Sequence, residues 1–304
     1  MPDVPRLRMS SGGRLHVRGI IMYGAILGDI IGSIYEHKRI KSKDFELFGT
    51  DNSFTDDTVM TVAVAEGYMF FLRDHYPDFY VGRTGSDVPF TVDDDMISVL
   101  RDSIIRSMVF YGRKYPYAGY GGNFIRWLKY KHEPYFSWGN GSAMRTSSAG
   151  WIFSDIETVR KMAAIQAEVS HNHPAGIIGA EAVASAVFLA RTGSSKEEIR
   201  DYITKEFGYD LDRTVDSIRP GYRFDVSCQG SVPEAIISFL DGADFEDTVR
   251  NAVSLGGDSD TLGAMAGSVA EAYFGVPDEL KAKCEQYLPE IMLETLHTFS
   301  RRWQ

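Results

Sequence analysis

The sequence is poor in cysteine: its 304 residues include only Cys228 and Cys284, and neither belongs to a CxxC pair. So few thiols exclude a disulfide-stapled scaffold and a thiolate zinc site, and they are typical of a reducing compartment. No apolar run approaches the ~20 residues that a membrane helix needs, and the N-terminus lacks the apolar segment of a secretory signal. We therefore expect a cytoplasmic protein with no membrane partner.

Positively charged residues are also fewer than negatively charged ones: the chain has 32 Lys and Arg residues and 42 Asp and Glu residues, for a net charge of −10. This balance argues against nucleic acid as a partner. The alternation that marks β-strands is nearly absent, whereas helical spacing recurs along the chain. We therefore predict an all-α fold, with a flexible polar extension over residues 1–21 and a single compact multi-helix domain over residues 22–304.

The chain does contain two acidic motifs, which lie far apart in the sequence. The first is Thr55-Asp56-Asp57-Thr58, and the second is Gly256-Gly257-Asp258-Ser259-Asp260-Thr261. Each stands directly before an apolar run with helical spacing, which places both motifs at helix N-termini. Capping of the two helices by Asp and Thr is the simpler interpretation of either motif alone.

A metal site explains the two motifs together. Carboxylates that met without a cation would repel one another, and Asp and Thr oxygens are hard ligands that suit Mg²⁺, Mn²⁺ or Ca²⁺. Two such ions ~3.5–4 Å apart polarise a substrate oxygen and lower the pKa of bound water. The amide groups at the helix starts favour an anion such as a diphosphate. We therefore expect the motifs to converge on a pair of divalent metals, with a nucleotide-sugar as the ligand.

Glycines punctuate the first predicted helix, over residues 22–36. Gly24, Gly28 and Gly32 recur every four residues and so share one helix face. Each glycine weakens a helix by ~1 kcal/mol, so the repetition indicates close approach by another helix. Beyond tight packing, Asp29 and Glu36 are candidates to point into a site.

Two further stretches are candidates for ligand contact. Small residues around Asn140 allow a ligand to approach the backbone, and their amides can form an anion-binding nest. His171 and His173 alternate, so they cannot share a helix face, and we expect hydrogen bonding or capping from them rather than zinc ligation. The glycines of residues 111–123 suit either a phosphate-binding loop or a structural turn.

Five stretches together resemble the ADP-ribosylglycohydrolase family, which includes the dinitrogenase-reductase-activating glycohydrolases and the ADP-ribosylarginine and ADP-ribosylserine hydrolases. They occur in the family's order along the chain, which makes the resemblance specific although each stretch alone is short. The stretches are GAILGDIIGSIYE (24–36), FTDDTVM (54–60), GNGSAMR (139–145), SHNHP (170–174) and GGDSDTLG (256–263).

The resemblance implies an all-α catalytic domain with a dinuclear Mg²⁺ centre in a cleft, where Mn²⁺ is a possible substitute. It implies hydrolysis of the glycosidic bond at C1″ of ADP-ribose on an arginine or serine side chain, with an ADP-ribosylated protein or ADP-ribose as partner. The metal ligands that it implies are Thr55, Asp56, Asp57, Asp258, Asp260 and Thr261. The residues that it places against ribose and diphosphate are Asn140, Gly141, Ser142 and His171.

The same resemblance suggests catalytic roles. Asp57 or Asp258 takes a proton from the attacking water, and Glu36 matches a family glutamate that gates the site or assists catalysis. The family also stacks an aromatic ring on adenine, for which Tyr222 is the candidate here. Two other classes stay open: a non-catalytic ADP-ribose-binding module of the same fold, and a helical metal-dependent nucleotide phosphohydrolase.

Overall fold

The computed structural model describes residues 22–81 and 90–303, and the regular elements in those ranges are all helical. The all-α prediction is therefore confirmed, while the predicted extension over residues 1–21 lies outside the described residues. In chain order the helices are α1 (Tyr23–Gly32), α2 (Asp56–His75), α3 (Pro77–Val81), α4 (Asp94–Lys114), α5 (Gly122–Lys129), α6 (Ser147–Ile152), α7 (Ile156–Glu168), α8 (Pro174–Arg191), α9 (Lys196–Phe207), α10 (Val215–Ile218), α11 (Cys228–Asp241), α12 (Phe245–Ser254), α13 (Ser259–Phe274), α14 (Asp278–Glu285) and α15 (Glu290–Arg302), with a 3₁₀ turn at Asn140–Ser142.

Helix α13 forms the centre of the fold. It is buried continuously from Ser259 to Glu271, and α1, α8, α11 and α12 all pack against it. On one side, α2 packs against α4 and also contacts both α1 and α13. This arrangement brings the first turn of α2 close to the first turn of α13, where the two acidic motifs lie.

The glycine face of α1 lies directly against α13. A Cβ atom added at Gly28 would stand 1.9 Å from the carbonyl oxygen of Gly263, and one added at Gly24 would stand 2.2 Å from that of Gly267. Such distances leave room for hydrogen only, so the two backbones touch. The close approach expected from the four-residue spacing is confirmed. The contact fixes the position of α1 along the axis of α13, and so its position relative to the second acidic motif.

Some helix boundaries differ from the sequence-based expectation. Helix α4 runs through Tyr111 to Lys114, where a loop was expected. The stretch Ser231-Val232-Pro233-Glu234 predicts a helix start at Ser231, but helix α11 begins at Cys228, because the Ser227 hydroxyl accepts a hydrogen bond from the Gly230 amide and caps the helix earlier. The prolines and glycines of residues 76–89 predict a loop, but the short helix α3 occupies residues 77–81 of this range.

Helix α8 is 18 residues long, and by length and composition it is apolar enough to cross a membrane. The sequence-based expectation of a protein without a membrane helix overlooked this segment. However, 72% of its apolar window is buried inside the protein, where it packs against α6, α7, α11 and α13. A buried core helix passes the same test of length and composition, and its own neighbours cover the apolar surface of α8.

Candidate active site

The two acidic motifs meet in space, as the sequence analysis expected. The first supplies the N-cap and first turn of α2, beginning with Thr55, and the second supplies the same parts of α13, beginning with Asp258. The Thr261 hydroxyl donates to Asp57 Oδ2 at 3.2 Å, which joins the two helix starts directly. The two motifs therefore converge, whereas a side-chain cap is present only at α2, where the Thr55 oxygen accepts from the Asp57 amide; the Asp258 side chain does not cap α13.

Asp29 of α1 completes the cluster. Its carboxylate is fully buried and accepts hydrogen bonds from the Thr55 amide at 2.9 Å, the Thr55 hydroxyl at 2.7 Å and the Thr58 amide at 3.0 Å. Asp29 therefore caps the exposed amides at the start of α2 from a different helix. Its carboxylate also lies close to those of Asp57 and Asp260.

Five carboxylates form two triads that share one member. Oxygen atoms of Asp29, Asp57 and Asp260 all lie within 4.8 Å of one another, and the same holds for Glu36, Asp258 and Asp260. In addition, Asp57 Oδ1 is buried without a hydrogen-bond partner among the described residues. Hard oxygens at this separation, one of them unsatisfied, suit hard divalent cations as ligands.

Burial and neighbouring carboxylates raise the pKa values of the clustered aspartates. Burial, with repulsion from Asp29, raises the pKa of Asp56 to about 8, and burial raises the pKa of Asp258 to about 6. Burial and the neighbouring carboxylates also raise the pKa of Asp57 and Asp260 well above the usual range. Ionising all of them together is costly unless cations offset the charge.

Members of the cluster line a cavity of about 540 Å³. That volume suits a ligand of nucleotide size. Glu36 and residues of both motifs contribute to the lining, and so do aromatic side chains that include Trp138 and Phe224, which are 50% and 38% exposed. A ligand with both a hydroxyl-rich part and a flat apolar part would match this lining.

Comparison with known proteins agrees with the geometry of the site. A sequence profile of the ADP-ribosylglycohydrolase family matches residues 14–303. The chain belongs to the ADP-ribosylglycohydrolase family. ADP-ribosylhydrolase ARH3 of Homo sapiens is 27% identical over 355 aligned positions, which cover 90% of this chain and 91% of that protein. ADP-ribosylhydrolase ARH3 of Bos taurus is 26% identical, with 90% of each chain covered.

The fold is shared as well. A solved structure described as an ADP-ribosylglycohydrolase-related protein complex superimposes with a TM-score of 0.64, at 20% identity, over 93% of this chain and 96% of its own. At that identity the likeness concerns the fold alone. The family profile begins at residue 14, inside the segment predicted from the sequence to be an extension.

In this member of the ADP-ribosylglycohydrolase family the six predicted metal ligands fall into two groups. Asp57, Asp258 and Asp260 belong to the triads, whereas Thr55, Asp56 and Thr261 line the cavity beside them. The Thr55 hydroxyl donates to Asp29 Oδ1 at 2.7 Å, and its oxygen accepts from the Asp57 amide at 3.3 Å, which caps α2. The predicted catalytic residue Glu36 closes the second triad from the end of α1.

The predicted substrate-binding residues of the Asn140 turn and His171 also fall into two groups, those that line the cavity and one that does not. Asn140, Gly141 and His171 line the cavity, and the Asn140 amide donates to Asp258 Oδ2 at 2.7 Å. Ser142 does not line it; its buried hydroxyl donates to the Gly176 carbonyl at 2.8 Å. This hydrogen bond holds in place the turn that contains Asn140 and Gly141.

The structure places Tyr222 away from the cavity wall. Its hydroxyl donates to the Gly230 carbonyl at 2.7 Å, and its ring packs so closely on Gly257 that an added Cβ would lie 2.4 Å from Cε1. Tyr222 therefore supports the backbone of the second acidic motif from behind. Phe224, two residues later, faces the cavity instead.

Several residues at the site were not assigned from the sequence. Asp29, which belongs to a carboxylate triad, was considered but not included among the ligands, since a lone acid in an apolar helix gives no motif. Arg145 closes the GNGSAMR stretch, yet its burial was not foreseen. Phe136, in the cavity lining, adopts a left-handed backbone with φ of 56°, which no residue pattern predicts. The remaining aromatic lining residues are Phe124, in α5, and Tyr135, Trp138 and Phe224, which lie in irregular segments.

Proposed function

We propose that the protein is a metal-dependent ADP-ribosylhydrolase that cleaves the glycosidic bond at C1″ of ADP-ribose attached to a protein side chain. The observation that carries this proposal is the pair of carboxylate triads sharing Asp260 at the cavity. Membership of the ADP-ribosylglycohydrolase family and the similarity to ADP-ribosylhydrolase ARH3 support it. The cytoplasmic location stays a prediction.

The proposed cofactors are two Mg²⁺ ions, for which Mn²⁺ can substitute. Asp29 and Asp57 would hold one ion and Glu36 and Asp258 the other, with Asp260 reaching both. When bound, such ions supply positive charge that polarises substrate oxygens and makes water a better nucleophile. The carboxylate set contains no sulfur or imidazole group, which fits hard cations best.

The chain's own residues perform the remaining steps of hydrolysis in this proposal. Asp57 or Asp258 accepts the proton of the attacking water as a general base. The Asn140 amide holds Asp258 at 2.7 Å and so orients that carboxylate. Positive charge that develops at C1″ is stabilised by the surrounding carboxylates. Glu36, whose side chain is 29% exposed, contacts the departing acceptor side chain in this proposal.

The lining of the cavity orients the substrate in this proposal. The scissile bond lies at the carboxylates, and the adenine ring lies against an aromatic side chain of the lining. We propose that Phe224, rather than Tyr222, stacks on the adenine ring, since Phe224 lines the cavity and exposes part of its face. Asn140, Gly141 and His171 also line the cavity and would contact ribose and diphosphate.

An acceptor panel tests the proposal. Peptides carrying ADP-ribosyl-arginine and ADP-ribosyl-serine are incubated with the protein and Mg²⁺, and released ADP-ribose is quantified. We expect release from at least one of the two peptides. We expect at least a hundredfold loss in the Asp258→Asn, Asp260→Asn double variant, a rough figure for removing metal ligands.

The same panel separates the alternatives. Tight binding of ADP-ribose without release from any acceptor would indicate a binding module. Release of inorganic phosphate from a nucleotide would indicate a phosphohydrolase. Full turnover by the double variant would show that the active site lies elsewhere.

A further inference from the structure

His171 presents one ring nitrogen to the protein and the other to the cavity. The residue is 5% exposed, and its Nδ1 lies 2.8 Å from the Ser170 hydroxyl oxygen. Its Nε2 lies beside the turn at Gly141, where an added Cβ would stand 3.1 Å away. No residue that the structure describes forms a hydrogen bond with Nε2. Because His171 lines the cavity, its Nε2 is available to a ligand bound there.

The proton on this ring is controlled by a hydrogen-bond chain behind it. Arg145 Nη2 donates to the Ser170 hydroxyl oxygen at 2.9 Å. A guanidinium group carries only donors, so the serine oxygen must be the acceptor in that contact. The single hydroxyl proton of Ser170 is then free for its other neighbour, His171 Nδ1. Both groups are buried, with Ser170 at 0% exposure and Arg145 at 1%.

Arg145 is itself fixed in place. Its Nε donates to Gln166 Oε1 at 2.9 Å, and its Nη2 also donates to the Gln166 carbonyl at 3.1 Å. The Gln166 amide in turn donates to the Ser142 carbonyl at 2.9 Å, in the turn that carries the cavity-lining Asn140 and Gly141. These hydrogen bonds therefore connect the backbone of that turn to the imidazole ring of His171 and to its orientation.

The alternative tautomer leaves a group unsatisfied. If His171 Nδ1 carried the proton, the Ser170 oxygen would accept twice, and its own proton would have no acceptor among the described residues. Leaving a buried donor unpaired costs about 1–3 kcal/mol. That cost favours a ring in which Nδ1 accepts and Nε2 bears the hydrogen.

We propose that Arg145 and Ser170 are positioning residues that fix His171 as the Nε2–H tautomer, so that it donates a hydrogen bond to an oxygen of bound ADP-ribose. The ligand end of this inference rests on the proposed function, whereas the tautomer belongs to the free protein. The acceptor is an oxygen of the distal ribose or of the diphosphate. A ligand that offered an N–H group at this point would be rejected.

The charge state of the ring agrees with a neutral donor. Burial lowers the pKa of His171 well below its usual value, and the guanidinium of Arg145 lowers it further. The ring is therefore uncharged near neutral pH, which is the state in which its tautomer matters. Tyr135, whose ring centroid lies 5.6 Å from that of His171, covers another side of the imidazole.

Nitrogen NMR of the free protein tests the tautomer. Protein labelled with ¹⁵N-histidine is compared with the His171→Gln variant, which identifies the signals of this ring among the seven histidines of the chain. We expect a protonated Nε2 in the wild type and in Ser170→Thr, which keeps a hydroxyl. We expect mixed tautomers in Ser170→Ala and in Arg145→Met. Ser238→Ala, at another buried serine whose hydroxyl donates to a helix carbonyl, is the control and keeps the wild-type signals.

The inference fails if the wild-type ring carries its proton on Nδ1, or if Ser170→Ala leaves the tautomer unchanged. Thermal melting checks that each variant is folded. Should Arg145→Met not fold, Ser170→Ala decides the result, because it removes only one buried oxygen.

Titration with ligands tests the contact itself. We expect ADP-ribose to shift the Nε2 signal, and its affinity to fall about twofold in Ser170→Ala, because only the fraction of rings that carries the proton on Nε2 can donate. ADP, which lacks the distal ribose, distinguishes the two acceptors: a shift with ADP indicates the diphosphate, and no shift indicates the distal ribose. An unmoved Nε2 signal in fully bound ADP-ribose would overturn the contact. A wild type that binds no ADP-ribose would overturn the proposed function while the tautomer could still be correct.

Discussion

Asp29 shows how one side chain serves two purposes. It caps the first turn of α2 through hydrogen bonds from Thr55 and Thr58, and it also stands within ligand distance of Asp57 and Asp260. Asparagine in its place would keep the size but lose one acceptor oxygen and the negative charge. The effect on stability, through the helix cap, and the effect on activity, through the metal site, can therefore be measured separately.

Asp29→Asn is expected to lower the free energy of unfolding by about 1–2 kcal/mol, as for a weakened helix cap. It is also expected to lower hydrolytic activity at least tenfold, because one triad loses a charged ligand. The matched control is Asp93→Asn, since Asp93 caps α4 in the same way, by accepting from the Met96 amide at 2.8 Å, but lies on the exposed surface. Equal activity losses in the two variants would contradict a role for Asp29 at the metal.

Glu271 offers a pH-dependent test that is independent of the metal centre. Its carboxylate accepts from the Tyr23 and Gly24 amides at the start of α1, and burial raises its pKa to about 8. A carboxyl whose folded-state pKa is raised favours folding at low pH, and this contribution is lost as pH rises toward the folded-state value.

With Mg²⁺ in excess, wild-type protein is therefore expected to lose more stability than Glu271→Gln between about pH 5 and about pH 8, because only the wild type must ionise this site. Urea unfolding at the two pH values measures the difference. Glu279→Gln, at an exposed position of α14, is the control and should follow the wild type. Parallel curves for Glu271→Gln and wild type would show that this carboxyl ionises without cost.

At the scale of the elements, the contact between α1 and α13 determines the geometry of the site. Asp29 and Glu36 come from α1 and its C-terminal end, whereas Asp258 and Asp260 come from the start of α13. Gly28 allows these backbones to touch, so an added methyl group must push the helices apart.

Gly28→Ala is expected to lower the free energy of unfolding by about 3 kcal/mol or more, since the new Cβ meets a carbonyl 1.9 Å away. Chemical denaturation gives the measurement. Gly122→Ala at the start of α5 is the control, because an added Cβ there meets no atom within 4 Å. A Gly28→Ala protein as stable as the control would mean that the two helices do not touch.

The elements also show what the sequence could predict. The four-residue glycine spacing and the two acidic motifs lie in continuous stretches with a clear period, so both the close helix contact and the meeting of the motifs could be predicted. Asp29 and Arg145 act through residues remote in sequence, and no local pattern identifies their partners. Helix bounds were missed where a single cap, such as Ser227, decided the first turn.

At the scale of the whole molecule, the acidic cluster makes stability depend on cations. The pKa of Asp56 is raised to about 8 and that of Asp258 to about 6, because both are buried near other carboxylates. Raised values mean that the metal-free fold is favoured at low pH and weakened as these groups ionise. Bound cations would remove that penalty and stabilise the folded state by mass action.

Metal-free protein is accordingly expected to show a melting temperature that falls between about pH 5 and about pH 8, whereas Mg²⁺ should reduce the fall. Calorimetry with EDTA and with Mg²⁺ gives the comparison. In Asp57→Asn, which carries one negative charge fewer, we expect a higher metal-free melting temperature than in the wild type and a smaller gain from Mg²⁺. Identical pH dependence with and without Mg²⁺ would contradict this prediction.

Counting bound metal ions tests most directly whether remote acids converge on two cations. Equilibrium dialysis with Mn²⁺, followed by electron paramagnetic resonance, reports both the number of ions and their magnetic coupling. We expect two coupled Mn²⁺ ions per chain in the wild type, one in Asp29→Asn, and neither at the same affinity in Asp260→Asn, since both triads use Asp260. A single ion in the wild type, or binding unchanged by Asp260→Asn, would contradict a shared dinuclear centre.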